Sequence, residues 1–416
     1  MHDAVYDWAV LWEWVQIAAR WTHVITAIAW IGSSFYFIAL DLGLRQTPSL
    51  PPLAYGEEWQ VHGGGFYHIQ KYLVAPEMMP EHLTWFKWES YATWLTGFVM
   101  LILVYYMGAE FYLIDPAVMD LTIWQAVGVS LGSLGFGWLA YDAICKSRFG
   151  DDNTRLMLGL YAILVAMSWG YTQVFSGRAA LLHLGAFTAT IMSANVFMII
   201  MPNQRIVVAD LKAGRKPDPK YGRIAKQRST HNNYLTLPVL FLMLSNHYPL
   251  IFATQYNWLI ASLVFLMGVT IRHWFNSKHA RKGNPHWTWA LTVILFLIVA
   301  WLSTAPMRTA PDEASLRGGA ALRYASAAGF DEVTDIVQGR CSMCHAAEPG
   351  WGGMYWPPKG VMLETPMQIA NAARRIYMQA GVSHAMPPAN LSFMEPAERA
   401  KIVDWFRAAG QGGVEG

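Results

Sequence analysis

The sequence predicts an all-α protein in two parts: a bundle of eight transmembrane helices and, after it, a small all-α soluble domain. Eight apolar stretches, most of them near the roughly 20 residues that a helix needs to cross a bilayer, occur before residue 304. Only 14% of the residues are charged, whereas soluble proteins carry about a quarter. Beyond Ser303 small and polar residues predominate, and amphipathic segments follow them.

The apolar stretches define the predicted spans, of which the sixth is the shortest. Trp and Tyr are frequent near their ends, as is typical of the membrane interface. No basic segment precedes the first stretch, so we expect it to be retained as an anchor rather than cleaved as a signal peptide. The predicted spans cover residues 15–40, 91–107, 121–144, 156–175, 179–201, 234–246, 256–271 and 287–303.

Lys and Arg residues are distributed unevenly between the connections. Residues 202–233, after the fifth span, hold eight of them, whereas residues 108–120 and 247–255 hold none. Because connections rich in Lys and Arg stay in the cytoplasm, this pattern predicts that both the N-terminus and the C-terminal domain lie outside. The net charge of +2 does not indicate a nucleic-acid partner, and membrane lipid is the expected surrounding.

The composition divides the chain into three parts. Residues 1–304 form the predicted membrane domain, and residues 305–329, rich in Ala, Gly, Ser and Pro, form a flexible linker. Residues 330–416 form the soluble domain, with helices predicted over 330–339 and 395–409.

The soluble domain contains the sequence Cys341-Ser342-Met343-Cys344-His345. This C-x-x-C-H pattern is the attachment signature of a c-type haem, in which both thiols bind the porphyrin and the histidine binds the iron. A zinc site is the first alternative, but no second C-x-x-C exists to complete it. The other alternative is two packing cysteines beside an unrelated histidine. The pattern predicts one covalent haem c in the periplasm of a bacterial inner membrane.

A sixth iron ligand is expected on the C-terminal side of the motif. Met386 lies 41 residues after His345 and is followed by Pro387 and Pro388, which stiffen the chain around it. A thioether ligand raises the haem potential, as suits an electron acceptor. The alternative is a packing methionine, since other methionines occur in the same domain.

Two histidines lie inside predicted spans, at equivalent positions of an internal sequence repeat. His23 and His183 are each followed at equal spacing by Ala, Ser, Phe and Arg, which suggests a repeat of four plus four spans. Ionisable residues inside a membrane are usually functional. His23 and His183 are therefore candidate ligands of a second, b-type haem or candidate proton carriers, and the alternative is neutral side chains hydrogen-bonded to neighbouring helices.

The connection over residues 42–90 is too long to be a simple turn. Three glycines at 63–65 allow a ligand to approach the backbone closely, and aromatic residues supply flat surfaces for stacking. His62, His68 and Lys71 supply hydrogen-bond donors and bases, so they are the candidate catalytic residues. The alternative is an interfacial loop with solvated charges.

These stretches together resemble the bacterial membrane-anchored urate oxidases, or urate hydroxylases, which join an eight-span domain to a C-terminal cytochrome c. The resemblance covers essentially the whole chain. It is carried by Trp21-Thr22-His23 through Trp30-Ile31-Gly32, Gly63-Gly64-Gly65-Phe66-Tyr67, Trp85-Phe86-Lys87-Trp88-Glu89-Ser90-Tyr91-Ala92-Thr93-Trp94, Asn195-Val196-Phe197 and the haem domain. The resemblance supplies no catalytic residues for the membrane domain.

The resemblance implies that urate and water give 5-hydroxyisourate, two electrons and two protons. The electrons would pass singly to the haem and then to a soluble cytochrome c or a terminal oxidase, without release of peroxide. The competing hypothesis is a membrane-anchored electron-transfer cytochrome that takes electrons from quinol or from a partner dehydrogenase. Reduction of the haem by quinol, but not by urate, would distinguish the second hypothesis from the first.

Overall fold

The chain is mostly helical, and its helices fall into a large bundle and a smaller C-terminal group. A computed structural model describes residues 8–73, 76–116, 118–304, 319–352, 354 and 357–411. The helices of the bundle are α1 Trp8–Gly43, α2 Trp88–Met100, α3 Ala109–Tyr112, α4 Ile123–Lys146, α5 Asn153–Thr172, α6 Gly177–Ala194, α7 Met201–Lys212, α8 Pro219–Ser245, α9 Pro249–Phe252, α10 Asn257–His279 and α11 Trp287–Thr304.

The C-terminal helices are shorter, with α12 Gly319–Ala325, α13 Phe330–Cys341, α14 Pro366–Asn371, α15 Ala373–Ile376 and α16 Pro396–Gln411. Three helices continue into π-helical turns, at Leu101–Tyr106 after α2, at Asn195–Ile200 after α6 and at Tyr377–Val382 after α15.

A β-hairpin replaces the loop expected after the first span, so the prediction of an all-α fold is wrong at this point. Strands β1 (Ala54–His62) and β2 (Gly65–Tyr72) pair antiparallel, with Trp59 opposite His68. Gly63 and Gly64 both have positive φ, at 59° and 81°, as a two-residue turn of type I′ requires. The glycines therefore close a hairpin.

Helix α6 forms the centre of the bundle. It contacts α2, α4, α5, α8 and α10, and its residues His183, Leu184 and Phe187 are at most 2% exposed. Helices α1 and α11 lie at the periphery and leave many large apolar side chains exposed. An apolar outer surface of this kind suits contact with lipid rather than with water.

Among the described residues, four helical segments are long and apolar enough to cross a membrane: Val10–Gly43, Ile123–Lys146, Gly177–Lys212 and Asn257–His279. They coincide with the first, third, fifth and seventh predicted spans. The shorter apolar helix Trp287–Ser303 lies at the eighth. The sixth predicted span is the second half of α8, whose first half is polar.

The C-terminal helices share a core of their own. Val337, Ile369, Ala373 and Ile402 are fully buried in it, and Trp405 Nε1 donates to the carbonyl of Tyr324 in α12 at 2.9 Å. Helix α12 therefore belongs to this core, although the sequence placed residues 319–325 in the linker. Residues 305–318, the rest of that predicted linker, lie outside the described residues.

Candidate functional site

The sequence Cys341-Ser342-Met343-Cys344-His345 lies at the end of α13. The His345 ring donates from Nδ1 to the carbonyl of Val361 at 2.8 Å, and its own carbonyl accepts from the amide of Leu363 at 2.7 Å. Because Nδ1 carries the ring proton in this contact, Nε2 is the nitrogen with a free lone pair. A histidine fixed in this tautomer is prepared to bind iron through Nε2.

The Met386 loop is held by the guanidinium of Arg399 on α16. Arg399 is 7% exposed and donates to the carbonyls of Ala380 at 2.6 Å and of Met386 at 2.8 Å. Its other terminal nitrogen donates to Asn390 Oδ1 at 3.1 Å. The buried guanidinium of Arg399 thus bonds to three oxygens, and these bonds hold the chain before and after the Met386 side chain.

These residues fit a c-type haem by the chemistry of their donors. A c-type haem requires two thiols for attachment and two axial ligands for its iron. An imidazole with Nε2 free and a thioether can serve as those ligands. Burial raises the pKa of the Cys341 thiol to about 12, so it is protonated at neutral pH. The segments that carry these residues also expose apolar side chains that would suit a porphyrin face: Met343, Trp351, Met354, Val382 and Leu391.

The two histidines of the bundle do not fit a shared b-type haem. The His183 ring is fully buried; Nδ1 donates to the carbonyl of Ala179 at 2.8 Å and Nε2 accepts from Ser130 Oγ at 2.8 Å. His23 Nδ1 lies 3.0 Å from Thr96 Oγ1 on α2, which packs against both α1 and α6. Since both nitrogens of His183 are engaged, this ring offers no free ligand atom.

The hairpin brings His68 against Glu57 and Trp59. His68 Nε2 donates to Glu57 Oε2 at 2.7 Å, and its ring stacks on Trp59 with centroids 4.1 Å apart. Thr47 Oγ1 donates to the other carboxylate oxygen at 2.6 Å. These two hydrogen bonds, the one from Thr47 contributing most, hold the pKa of Glu57 below its ordinary value.

The other two candidate residues of this segment do not converge on His68. Lys71 forms an ion pair with Asp41 at the end of α1, and His62 lies at the tip of the hairpin opposite Gly65. The structure thus separates the three residues that the sequence grouped together. Their catalytic role remains a prediction.

A buried polar network lies elsewhere, between α4, α8 and the π-helical turn after α6. Arg228 is 1% exposed; its Nη2 lies 2.7 Å from Asp142 Oδ1, and its Nη1 donates to Asn195 Oδ1 at 3.1 Å. Lys146 also pairs with Asp142, at 2.6 Å. Asn195 Nδ2 in turn donates to Asn232 Oδ1 at 3.0 Å. Charged and amide side chains inside an apolar bundle are costly and usually functional.

Tyr141 and His231 extend this network. The Tyr141 hydroxyl lies 2.7 Å from His231 Nδ1 and accepts from Asn195 Nδ2 at 3.1 Å. The guanidinium of Arg228 lies over the Tyr141 ring, 4.9 Å from its centroid. The network therefore joins the cation of Arg228 and the imidazole of His231, on one turn of α8, with the phenol of Tyr141 on α4 and the Asn195 amide after α6.

A cavity of about 1310 Å³ adjoins the network. Its wall includes Arg228 and His231 together with apolar and aromatic side chains of α5, α8 and α10, and Lys146 and Lys226 at the basic end of the bundle. The volume exceeds the roughly 300–1,000 Å³ of ordinary small-molecule sites, so the cavity has room for a bicyclic heterocycle.

Sequence reasoning missed this site because it placed residues 202–233 in a loop. Helix α8 begins at Pro219, fifteen residues before the predicted sixth span. The signal was present, since Arg228, His231, Asn232 and Asn233 recur at helical spacing directly before an apolar run.

The fold and these sites define a helical protein with membrane-length apolar helices and a polar network inside its bundle. The family model described as urate oxidase, N-terminal, matches residues 9–303, and the chain belongs to this family. The family relates the chain to urate and to oxidoreductases. No curated protein and no solved structure matches the sequence.

Proposed function

We propose that this protein oxidises urate within the membrane and passes the electrons to a c-type haem on its own C-terminal domain. Urate and water give 5-hydroxyisourate, two protons and two electrons, and the electrons leave singly for a soluble cytochrome c or a terminal oxidase. Oxygen is not the direct acceptor, so no peroxide forms. The family match over residues 9–303 supports the substrate, and the C-x-x-C-H sequence supports the acceptor.

The observation that carries the proposal is the contact between the C-terminal domain and the bundle. Arg374 Nη2 of α15 lies 3.0 Å from Glu13 Oε1 of α1, and Phe111 of α3 packs against the C-terminal core. A bound haem supplies a one-electron acceptor. Direct contact places the domain that would hold it against the domain that matches the urate oxidase family.

A chain of aromatic rings supports electron transfer between the two parts. Ring centroids are 5.9 Å apart from Tyr171 to His183, 5.9 Å from His183 to Tyr105, 6.3 Å from Tyr105 to Tyr112 and 6.5 Å from Tyr112 to Phe111. The last ring touches the C-terminal core. This gives His183 a role in the bundle that does not require it to ligate iron.

The inner end of this chain reaches the polar network. The ring centroid of Phe187 lies 6.4 Å from that of Tyr171. Phe187 also packs closely on Gly137, since a Cβ atom added to Gly137 would lie 2.0 Å from the Phe187 ring. Gly137 is one helical turn from Tyr141. Packed side chains thus extend from the neighbourhood of Tyr141 towards the C-terminal domain, which removes the need for one long electron step across the bilayer.

The proposed arrangement has eight spans, with the N-terminus and the haem domain in the periplasm of a bacterial inner membrane. The C-terminal domain contacts the start of α1 and α3, whereas the basic residues Lys146, Lys220 and Arg223 line the opposite end. A periplasm-active reporter fused after residue 416 should be active, and the same reporter inserted near Lys216 should be inactive. The reverse result would overturn this orientation.

Turnover with an external acceptor tests the function. Purified full-length protein, urate and oxidised soluble cytochrome c should yield 5-hydroxyisourate and two reduced cytochromes per urate, without peroxide. If a quinol reduces the haem and urate does not, the protein is instead a membrane-anchored cytochrome that takes electrons from quinol.

A further inference from the structure

Two buried hydrogen-bond donors at the cavity wall have no partner among the described residues. They are Arg228 Nε and His231 Nε2, and each residue is 1% exposed. They lie three residues apart on α8, so they share one face of the helix. Buried polar atoms are nearly always hydrogen-bonded, and an unpaired pair beside a cavity indicates an acceptor that enters it.

The hydrogen-bond network assigns the proton on His231. Arg228 can only donate, so Asn195 must present Oδ1 to Arg228 and its Nδ2 to Tyr141. The Tyr141 hydroxyl accepts from Asn195 and donates to His231 Nδ1 at 2.7 Å. Nε2 therefore carries the ring proton and is a donor, as Arg228 Nε is.

The charge at this wall is positive. Asp142 pairs with both Arg228 and Lys146, so one positive charge in this triplet is uncompensated. Lys226 and Arg223 also line the cavity. A low-dielectric cavity of this sign concentrates anions.

We propose that this cavity is the binding site of the substrate, an anionic, planar, carbonyl-rich heterocycle, which is urate if the proposed function is correct. Arg228 Nε and His231 Nε2 donate to oxygens on one edge of the ring. Tyr161, Tyr234 and Phe265, which line the same cavity, supply flat apolar faces. Through Arg228, which lies over the Tyr141 ring, the site adjoins the polar network, and Tyr141 is one helical turn from the close contact of Gly137 with Phe187.

Binding can be measured without turnover. In full-length protein whose haem has been reduced with dithionite under anaerobic conditions, urate cannot be oxidised, and radiolabelled urate is followed by equilibrium dialysis. His231→Leu and Arg228→Lys each remove one donor, the second while retaining the charge. Each should weaken urate binding at least tenfold, because a hydrogen bond to a charged ligand is lost. His231→Gln, which keeps an amide donor, should restore part of the affinity.

Arg215→Gln is the matched control for the basic end of the bundle, because Arg215 is exposed, pairs with Asp210 and does not line the cavity. It should bind urate as the wild type does. His68→Ala tests the hairpin as the rival site. Two results would overturn the cavity as the binding site without contradicting the proposed function. One is loss of urate binding in His68→Ala alone, and the other is equal urate binding by the wild type and both cavity variants. Absence of urate binding to the wild type would overturn both the site and the function.

Discussion

The hydroxyl of Tyr141 on α4 lies 2.7 Å from Nδ1 of His231 on α8, deep in the bundle. Because this hydroxyl also accepts from Asn195, it directs its own proton to the imidazole and fixes the His231 tautomer. Tyr141→Phe keeps the ring under Arg228 but removes this control. We expect urate affinity to fall about tenfold and stability to fall by about 1 kcal/mol. Tyr106→Phe, which loses a comparable hydrogen bond to Ser130, is the control and should keep normal affinity.

The contact between Glu13 and Arg374 gives a second prediction, for the docking of the C-terminal domain. Both side chains are partly exposed, so the pair itself contributes about 0–1 kcal/mol. Glu13→Lys should slow reduction of the haem by urate several-fold in anaerobic stopped-flow measurements. The double variant Glu13→Lys with Arg374→Glu should recover the rate. If the single variant reduces its haem at the wild-type rate, this contact does not position the domain for electron transfer.

The Met386 loop gives a third prediction. Met386→Ala should leave the haem attached through Cys341 and Cys344, because thioether bonds do not involve the iron. The potential should fall, and the sulfur-to-iron band at the red end of the visible spectrum should disappear. Met367→Ala, a partly buried methionine of the same domain, is the control. An intact band in Met386→Ala would exclude this residue as the axial ligand.

The hairpin should respond to acid through Glu57. The folded pKa of this carboxyl lies below its ordinary value, first because Thr47 donates to it and then because His68 does. The unfolded hairpin thus takes up a proton at a higher pH than the folded one. The stabilisation is complete above the ordinary carboxyl pKa and is lost as the pH falls through the lowered value. The protection factors of the hairpin amides, which correct for the slowing of intrinsic exchange in acid, should fall as the pH falls through that value, and Glu57→Gln should remove this fall.

The sequence predicted the positions of the four membrane-length apolar helices, because span length and composition are local properties. Its charge pattern separated a basic end of the bundle from the end that carries the C-terminal domain. The motif Cys341-Ser342-Met343-Cys344-His345 predicts haem attachment by its spacing alone, and this stays a prediction. What holds Met386 was not predictable, since Arg399 lies thirteen residues away and acts through backbone carbonyls.

Two errors have physical causes. The sequence predicts a close ligand approach at the glycines 63–65, although two glycines between alternating apolar residues are also a strong hairpin signal. It predicts a loop where α8 begins, because a polar stretch whose Arg228 and His231 become buried only in the bundle lacks the apolar composition expected of a span. Only the tertiary packing of α4, α6 and α8 brings Tyr141, Asn195 and His231 together.

The central claim, that electrons from urate reach the haem of the same chain, is tested most directly by an anaerobic titration. Oxidised full-length protein is mixed with substoichiometric urate, and the haem spectrum is recorded as urate is added. Because each urate yields two electrons and each protein holds one haem, half an equivalent of urate should reduce the haem completely, with 5-hydroxyisourate as the product. A haem that stays oxidised in the presence of excess urate, while a quinol reduces it, would contradict the account.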